Sequence, residues 1–489
     1  MPSVDASSLR EEFDAVNEHI ASLRQAGKIS GEADAAIGVL CSLLSILIVV
    51  FLEKTTKKTG KNSSIPPSQT DKDETKKRRN SGKGIQSNQM TGDNLRKVTV
   101  EEESTVDTCD GCGADLSGVA PSAHEKRVLL DIVFEVIETE VAAEIKQCPK
   151  CRTQTKGRFP DNMPGPLQYG VGFQAFVINL VVAQMLSLRR AVELVYAISG
   201  RKLSEATCLG YIQRLYDSLE EWETAAADYL LTCPALHADE TGFRVDSKTQ
   251  WLHVLTNGSL TLKFLHRKRG KEAIEAVGII PCYIGVLIHD CWASYLTYSQ
   301  CKHQLCGSHL LRELTFVVDS NNYRWARAMK KLLRMACHKV NNSQSGVLSE
   351  AQCRTIRQRY RTILREGAKE MPDIPPNPKG RRGKVAKSDA HNLHERLLKY
   401  EDCVLRFMSE PDVSFTNNEG ERKIRMAKVK MKVSGCFRTE RYAHAWCRIS
   451  SYLSSMAALG YNPLVAIQIA LAGNTADMIK SHHEYDQAA

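Results

Sequence analysis

The spacing of apolar side chains predicts helices through most of the first half of the chain. Residues 9–24 repeat apolar positions at the helical period, and residues 35–52 form an apolar run without a charge. Helical periodicity returns at 168–232, where Ser199–Gly200 interrupts the pattern and Ser204 is a suitable N-cap for the next helix. This second helical stretch therefore predicts a helix–turn–helix-like hairpin.

From residue 235 the pattern changes to the alternation that is typical of strands. Residues 235–245, 249–256 and 260–266 predict three consecutive strands, with Asn257–Gly258 as a hairpin turn. A short helix follows, and the apolar run at 282–290 predicts a fourth strand. Three antiparallel strands, a helix and a parallel strand are the opening of a ribonuclease H-like sheet, in which the ends of the first and fourth strands lie side by side. Helical patterns return at 309–371, 389–410, 417–432 and 442–472.

A basic, polar stretch separates the N-terminal helices from the rest. The chain has 489 residues and a net charge of +10, and residues 54–100 hold 12 Lys and Arg against 4 Asp and Glu. Residues 54–104 carry almost no bulky apolar side chains, so they bury too little surface to offset the entropy of ordering and are predicted to be a disordered linker. The concentrated charge favours a polyanionic partner, or simply a solvated linker.

Two Cys-x-x-Cys pairs, Cys109–Cys112 and Cys148–Cys151, predict one structural zinc ion, because each pair supplies two thiolates to a tetrahedral site. The gap between them, 148 − 112 = 36 positions, exceeds the usual spacer, so an insertion has to loop out. Two unrelated redox or structural pairs are the alternative. The N-terminus has neither the basic start nor the early apolar core of a secretory signal, so the 16 cysteines are expected to be reduced.

The apolar segment 35–52 has two interpretations. Its 18 residues reach the minimum length of a membrane span, and basic residues follow it directly. A helix of this kind is also readily buried in an oligomer, and the amphipathic helix before it favours that interpretation. We expect a homo-oligomer without a membrane, and a membrane-tethered protein is the alternative.

Acidic residues at two strand ends indicate a candidate metal site. Asp239 is taken as the end of the first strand, and Asp290 as the end of the fourth. A third acid, Glu421, lies in the polar stretch 416–425. Three carboxylates offer the hard oxygen ligands that magnesium prefers, and paired divalent ions stabilise the attacking and leaving oxygens of a phosphoryl displacement. Turn formation by the two aspartates and a solvated helix around Glu421 are the alternatives.

The helix that carries Glu421 is also basic. Arg425 and Lys428 lie on the same face as Glu421, at i+4 and i+7, and are candidates for holding phosphates. Asn417 and Asn418 are suited to cap this helix at its start.

Several short motifs occur in a characteristic order. They are KNSSIPPSQ, CDGC…CPKC, GPLQYG, HADETGFRV, IHDCWASY, HLLREL, SFTNNEGERKIRMAKVKMKVSGCFRT and SYLSSMAALGYNP. Together they resemble the insertion-sequence sixty-six family of transposases, which are bacterial DDE transposases. The resemblance covers nearly everything from about residue 60 onward.

The resemblance implies that Asp239, Asp290 and Glu421 are the catalytic carboxylates and bind two magnesium ions. It also implies that a mostly helical insertion, at about 315–410, separates the second Asp from the Glu, which accounts for the long spacing of 421 − 290 = 131 positions. The sequence departs from the family pattern in small ways, with Ser308 and Gly420 where alanine is frequent and Ser414 where proline is frequent. These changes affect local packing and leave the three carboxylates in place.

Two further acids compete for the same role. Glu240 follows Asp239 and, in a strand, points to the opposite face. Glu419 lies about 200° round a helix from Glu421, so only one of the two can face the metal ions. Near the site, Trp292 is a candidate for stacking on a base or for burial beside the strand end. His309 is a candidate for a phosphate contact or a core position.

DNA is the expected partner. The element ends are expected to contact the zinc region and the helical hairpin, whereas the helix of Glu421 contributes phosphate contacts. A packed hairpin without DNA contacts is the alternative. The candidate DNA-binding residues are Arg189, Arg190, Arg201, Lys202, Arg214, Arg422, Arg425 and Lys428.

The sequence therefore predicts an α/β multidomain protein with a ribonuclease H-like catalytic domain. The expected domains are an N-terminal helical segment (1–53), the linker (54–104), a zinc-binding domain (105–160), a helical DNA-binding region (161–232), the catalytic domain (233–472) and a tail (473–489). The expected function is DNA transposition by magnesium-dependent strand cleavage and transfer in the cytoplasm, at the nucleoid, with small helper proteins as further candidate partners. An inactive or domesticated zinc-containing DNA-binding regulator is the alternative.

Overall fold

A computed structural model describes residues 6–63, 104–129, 134–374, 387–475 and 477–482. The described residues divide into two compact units. Unit 1 draws them from Met1–Gly84 and Trp222–Ser451, and unit 2 from Ile85–Glu221 and Tyr452–Ala489. Most of the predicted linker, residues 64–103, lies outside the described residues.

Helices and strands alternate in the order of a mixed α/β protein. The strands are β1 (Ile145–Gln147), β2 (Gln154–Lys156), β3 (Ala235–Val245), β4 (Lys248–Thr256), β5 (Thr261–His266), β6 (Val286–His289) and β7 (Lys302–Leu305). The first helices are α1 (Ala6–Gln25), α2 (Gly31–Thr55), α3 (Val171–Ile178), α4 (Leu188–Ser199), α5 (Glu205–Ser218), α6 (Glu220–Thr232), α7 (Lys271–Val277) and α8 (Ile279–Cys282). The later helices are α9 (Gly307–Asn321), α10 (Arg324–Asn341), α11 (Glu350–Glu370), α12 (Asp389–Lys399), α13 (Glu401–Leu405), α14 (Asn418–Ser434), α15 (Glu440–Ala458) and α16 (Pro463–Leu471).

Unit 1 contains a five-stranded mixed sheet in the order β5-β4-β3-β6-β7. The first three strands are antiparallel, whereas β6 runs parallel to β3 and β7 runs parallel to β6. The Asn257–Gly258 turn is present, and Gly258 has a φ of 106°, which a side chain would strain. The three predicted strands and their hairpin are therefore confirmed in position.

The last strand, β7, was not predicted from the sequence, because its side chains are mostly polar. His303 and Gln304 are nevertheless buried. The Gln304 carboxamide accepts a hydrogen bond from the Phe407 backbone at 3.0 Å, and the rings of His303 and His289 are joined at 3.0 Å. Polar side chains thus occupy this end of the sheet because tertiary partners satisfy them.

The helices α9 to α13 form the predicted insertion between the sheet and α14. Their apolar faces share one core with the sheet, in which Ile288 and Leu305 meet Leu314 and Trp325. Residues 375–386, between α11 and α12, lie outside the described residues.

The N-terminal helices attach to unit 1 through the end of α2. Val49 and Leu52 are buried, and the Glu53 carboxylate accepts hydrogen bonds from the Asp389 and Ala390 backbone amides at 2.7 and 3.0 Å. Glu53 therefore caps the N-terminus of α12, 336 positions away. Asn62, inside the predicted linker, is also buried, so the first residues after α2 pack on this unit.

Much of α2 remains exposed. Among the described residues it is the one helix long and apolar enough to cross a membrane. Its exposed apolar side chains are Val39, Leu40, Leu43, Leu44, Leu47 and Phe51.

Unit 2 contains the predicted helical hairpin. Gly200 adopts the left-handed conformation after α4, and the Ser204 hydroxyl accepts a hydrogen bond from the Thr207 backbone at the start of α5. The C-terminal helix α16, expected to close the catalytic domain, packs instead on α3 and α5. Both α3 and α16 are apolar on all sides, so each is stable only when other elements pack against most of its surface.

The segment 134–144 has no regular structure. Its apolar residues alternate in part, a pattern that is typical of short strands, but Phe134, Val136 and Ile137 are exposed. A strand needs a partner edge, and the partners found are β1 and β2, which flank Cys148–Cys151.

A buried lysine predicts a pH effect on stability. Lys263 on β5 is 2% exposed, its Nζ donates to the Ser450 carbonyl at 3.1 Å, and burial lowers its pKa to about 7. The unfolded chain keeps this proton up to about pH 10.4. Between these two values the unfolded state binds more protons, so the contribution of Lys263 to stability rises with pH.

We therefore expect the unfolding temperature of the wild type, relative to Lys263→Met, to rise from pH 7 to pH 9. Thermal unfolding followed by circular dichroism measures the difference, and the variant cancels the contribution of all other titrating groups. A constant difference across this range would contradict the prediction.

Candidate active site

Strand pairing brings the two predicted aspartates together. In the parallel β3–β6 pair, Ala235 lies opposite Val286 and His237 opposite Ile288. Each pair differs by 286 − 235 = 51 positions, which is also the spacing 290 − 239 between the aspartates. Continuing the register by two residues therefore places Asp290, just past the end of β6, beside Asp239. Asp239 lies within β3 and does not end it, because the pairing of β3 with β4 continues to Val245.

Asn417 attaches α14 to this edge. Its side-chain amide donates to the Ala238 carbonyl at 2.8 Å, and its Oδ1 lies 2.9 Å from Nδ1 of His237. Its backbone N–H donates to the Cys306 sulfur at 3.2 Å. Asn417 occupies the N-cap position of α14, as the sequence predicted, but its side chain makes no capping hydrogen bond and its amide binds β3 instead. A buried amide needs partners, and the nearest strand offers a carbonyl and an imidazole.

Two glycines allow close approach around Asn417. A Cβ on Gly307 would lie 2.2 Å from the Phe415 ring, so only glycine fits at the start of α9. A Cβ on Gly420 would lie 3.3 Å from Cβ of Asp239 and 3.0 Å from Oδ1 of Asn417. The glycine where the family often has alanine thus seats the first turn of α14 directly against Asp239.

Glu421 lies next to His309 at this point. The Glu421 Oε1 and His309 Nδ1 atoms are 3.7 Å apart, and both are buried without a hydrogen-bond partner. The Cys306 sulfur completes a group whose ligand atoms all lie within 4.8 Å of one another. His309 therefore faces the site and is not a core residue of the insertion.

Burial and negative charge shape the proton affinities here. Burial raises the pKa of Asp239 to about 7, and the charges of Glu240, Asp290 and Glu421 add to the increase. Burial by itself lowers the pKa of His309, but the Cys306 side chain and the Glu421 charge outweigh it and raise the pKa to about 9. A concentration of negative charge in a partly buried place is the condition under which a cation binds.

Glu240 is excluded from this group by its own partners. Arg269 donates to its Oε1 through two nitrogens at 2.7 and 2.9 Å, and the Tyr295 hydroxyl donates to its Oε2 at 2.6 Å. The guanidinium of Arg269 in turn lies between Trp251 and Trp292, 5.0 and 4.4 Å from the ring centroids. Trp292 is thus half-buried and stacked on an arginine beside the strand end.

The other competing acid, Glu419, pairs with Arg422 on α14. Arg425 and Lys428 are exposed on the same helix. The helix α14 therefore carries the cationic side chains Arg422, Arg425 and Lys428 in addition to Glu421. Among the described residues, the Glu421 carboxylate is paired with His309 and with no lysine or arginine.

A family model described as Transposase IS66 family matches residues 166–445. The chain belongs to this family of transposases. A comparison with curated proteins gives no match to the chain. The matched residues include β3, β6 and α14, so the carboxylates Asp239, Asp290 and Glu421 lie within the family region.

In this transposase the predicted DNA-binding residues of unit 2 lie on the hairpin and are exposed. Arg189 pairs with Glu193 at 3.0 Å, and Arg201 pairs with Glu138. Arg214 donates to the Gln174 side chain at 2.8 Å. Arg190 and Lys202 are exposed as well. Three of the five cations are therefore held by side chains of the same unit.

The four predicted zinc ligands form two separate turns. The Gly113 N–H donates to the Cys109 carbonyl and the Arg152 N–H to the Cys148 carbonyl, at 2.9 and 2.8 Å. Within each pair the second thiol forms a hydrogen bond with the first. Each pair thus has the tight turn that a zinc knuckle needs. Within the described part of the chain, however, the four thiols do not belong to a group of three or more ligand atoms within 4.8 Å.

Two features of the fold were not predicted from the sequence. Cys306 was not among the candidate site residues, although a cysteine three positions before His309 at a helix start is a signal for paired ligands. The exposed face of α10 is basic, and its 18 residues include no acid. A count of charge over 324–341 would have found it.

The crowded carboxylates predict a stability effect. Asp239→Asn removes a buried charge that Glu240, Asp290 and Glu421 repel. The variant should therefore have an unfolding temperature a few degrees higher than the wild type in metal-free buffer. A gain of about 1 kcal/mol raises the unfolding midpoint of a domain of this size by about 2–4 °C. Millimolar Mg²⁺ should raise the midpoint of the wild type more than that of the variant, because binding to the folded state stabilises it.

Differential scanning calorimetry with and without Mg²⁺ measures both effects, and Glu419→Gln serves as a control because Glu419 is paired with Arg422. Equal responses to Mg²⁺ in the wild type and Asp239→Asn would show that the carboxylates do not share a cation.

Proposed function

We propose that this transposase uses DDE chemistry, in which Asp239, Asp290 and Glu421 support strand cleavage at the element ends and joining of the freed 3′-hydroxyls to target DNA. The observation that carries the proposal is the register of β3 and β6, which sets the two aspartates side by side, with α14 seated on Asp239. We further infer a ribonuclease H-like catalytic domain. The strand order β5-β4-β3-β6-β7, with three antiparallel strands and then parallel ones, supports that inference.

The residues present fit divalent metal ions. The buried Oε1 of Glu421 has no partner, and the charges around Asp239 disfavour its ionised form without a cation. Asp239, Asp290 and Glu421 would hold two magnesium ions, which supply charge stabilisation for the attacking and leaving oxygens of the phosphoryl group. The three carboxylates are not all within 4.8 Å of one another, and a pair of ions about 3.5–4 Å apart suits wider spacing than a single ion.

Other side chains position these carboxylates and the DNA. The Asn417 amide locks the start of α14 on β3, so that Glu421 is held one turn further along. Arg269 and Tyr295 bind Glu240 and keep this acid out of the metal group. The exposed Arg425 and Lys428 continue from Glu421 along α14, where they neutralise phosphates of the bound strand.

The element ends would bind elsewhere. The hairpin α4–α5 presents Arg189, Arg190, Arg201, Lys202 and Arg214 as the DNA-binding set, and Arg190 and Lys202 are exposed. Double-stranded DNA is the partner we infer, in the cytoplasm at the nucleoid, with small helper proteins from the same element as further candidates.

The exposed face of α2 suits a second copy of the chain better than a membrane. Leu40, Leu44, Leu47 and Phe51 follow the 4-3-4 spacing of a helix seam, and α2 is attached to unit 1 through Glu53. A span would have to release this attachment. We therefore infer a homo-oligomer that buries this stripe.

We also propose that the two cysteine pairs bind one zinc ion. The tight turn within each cysteine pair supports the proposal. For all four thiolates to bind one ion, the segment between the pairs has to place the two turns next to each other. Elemental analysis of chain purified without chelator should give about one zinc that depends on these cysteines. A Cys148→Ser/Cys151→Ser variant with unchanged zinc content would contradict it.

An inactive DNA-binding regulator is the other candidate. It would not need Asp239 and Asp290 side by side, nor Glu421 brought close to them on α14. These features favour an active enzyme.

The sharpest test concerns Glu421. Glu421→Gln keeps the size and helix propensity of the side chain but removes its charge. We expect cleavage and strand transfer to fall by about three orders of magnitude, since charge stabilisation supplies a large part of the barrier reduction. Binding to end DNA should persist. A strand-transfer assay with the flanking DNA of the element and Mg²⁺ measures all three.

Glu419→Gln is the matched control, two positions away and paired with Arg422. It should remain largely active. If Glu419→Gln is inactive while Glu421→Gln is active, Glu419 is the third catalytic carboxylate and Glu421 is not. If both variants are active, neither acid belongs to the catalytic group and the proposed trio is wrong.

A further inference from the structure

Three side chains near the catalytic carboxylates form a group that magnesium does not explain. Cys306 and His309 stand on the first turn of α9, and Glu421 reaches them from α14. Their ligand atoms lie within 4.8 Å of one another, and the His309 Nδ1 and Glu421 Oε1 atoms are buried without hydrogen-bond partners. A buried polar atom without a partner costs about 1–3 kcal/mol, so two at one point suggest a missing ligand.

The donor types identify the class of that ligand. Magnesium prefers oxygen ligands and would satisfy Glu421 but neither the imidazole nor the thiol. A thiolate, an imidazole and a carboxylate are the ligands of Zn²⁺, which is commonly bound by three protein groups with a fourth position left for water. The Asn417 N–H donates to the Cys306 sulfur at 3.2 Å, and hydrogen bonds of this kind orient the ligands of a metal site.

We propose that Cys306, His309 and Glu421 form a second metal site, for a Zn²⁺-class ion, that shares Glu421 with the catalytic metal site. The sharing rests on the proposed function, whereas the binding itself does not. Because one carboxylate cannot serve both sites with its full charge, an ion held by Cys306 and His309 competes with magnesium for Glu421. Bound Zn²⁺ therefore lowers the magnesium-dependent cleavage activity of the transposase.

Cobalt is the probe that reports the binding, since a Co²⁺–thiolate bond has an absorption band of its own. The full chain is titrated with Co²⁺ under reducing conditions, beside Cys306→Ser and the matched control Cys301→Ser, another buried cysteine outside the group. The knuckle cysteines are present in all three chains and cancel in the comparison. We expect Cys306→Ser to bind one Co²⁺ fewer, with a smaller thiolate band, whereas Cys301→Ser matches the wild type.

His309→Asn is the second variant, because it keeps Cys306 and tests the group if Cys306→Ser folds poorly. It should weaken Co²⁺ binding at this site at least tenfold. Equal stoichiometry and equal bands in all folded chains would overturn the proposal and would show that His309 is only an ion-pair partner of Glu421.

The competition between the two metals is measured for each variant separately. The rate of DNA cleavage with Mg²⁺ alone is divided by the rate with Mg²⁺ and micromolar Zn²⁺. We expect strong inhibition in the wild type and Cys301→Ser and at least tenfold weaker inhibition in Cys306→Ser. If no chain cleaves DNA, the proposed function fails while the cobalt titration still decides the metal site.

A different observation supports a second inference, about the outer face of α10. Arg324, Arg327, Lys331, Arg334 and His338 recur at intervals of three and four and are all exposed. The helix contains no acid, and Lys331 and Arg334 have no acidic partner within the described part of the chain. Like charges four positions apart destabilise a helix, and a merely solvated face ordinarily mixes signs.

We infer that this face of the helical insertion binds a DNA backbone. From Arg324 to His338 the face extends over 15 residues. This is about 20 Å along the helix axis, long enough to follow several phosphates. Neighbouring α11 differs, because Arg354 and Lys369 pair there with Glu350 and Glu366. On α10, Arg324 pairs with Glu370 of α11 at 3.6 Å, whereas Lys331 and Arg334 have no acid within ion-pair distance in the described part of the chain. The unneutralised part of the α10 face is therefore its middle, at Lys331 and Arg334.

The test compares two double variants of the full chain. Lys331→Gln/Arg334→Gln removes two unpaired charges, whereas Arg354→Gln/Lys369→Gln removes two paired ones. For duplex DNA, we expect the slope of log K against log salt to fall by about 2 in the first variant, since each phosphate contact contributes about 0.9. The second should keep the wild-type slope. Equal slopes in the two variants would refute the α10 interface, and a wild type that binds no DNA would refute the proposed function itself.

Discussion

The candidate site depends on how one buried amide is satisfied. The side chain of Asn417 bonds to Ala238 and His237 on β3, 179 and 180 positions earlier, and its backbone N–H bonds to Cys306, 111 positions earlier. Its carbonyl accepts the hydrogen bond of the Glu421 N–H, the first turn of α14. A strand, a helix start and a second helix are therefore fixed to one residue, and the spacing of Asp239, His309 and Glu421 follows from it.

This arrangement concentrates negative charge where the surroundings exclude much of the water. Asp239 is destabilised in its ionised form by burial and by its neighbours, and no lysine or arginine is paired with it in the described structure. The sheet could have relieved the repulsion with a cation, as it does at Glu240 through Arg269. Of the two adjacent acids, Glu240 is therefore neutralised by an arginine, whereas Asp239 is left without a cation, as the proposed metal site requires.

Two glycines allow the helix starts of α9 and α14 to pack closely. A Cβ on Gly307 would overlap the Phe415 ring, and one on Gly420 would be in tight contact with Asn417 and Asp239. This close packing lets Cys306 and His309 of the α9 start lie beside the Glu421 carboxylate of α14. The insertion is thus more than a spacer between Asp290 and Glu421: it contributes ligand-type side chains from α9 and a basic face from α10.

Local patterns in the sequence were enough to predict the strands β3 to β6, the helical hairpin and the candidate acids, because alternation, turn residues and caps act over a few neighbouring positions. The register that sets Asp239 beside Asp290 became visible only in the sheet. What depends on distant partners also required the folded chain. Tertiary structure paired the polar strand β7, directed the Asn417 side chain to β3, neutralised Glu240 with Arg269 and Tyr295, and brought Cys306 and His309 to Glu421. A polar side chain chooses among partners only when the folded chain has brought them within hydrogen-bonding distance, and no local pattern records which partner that is.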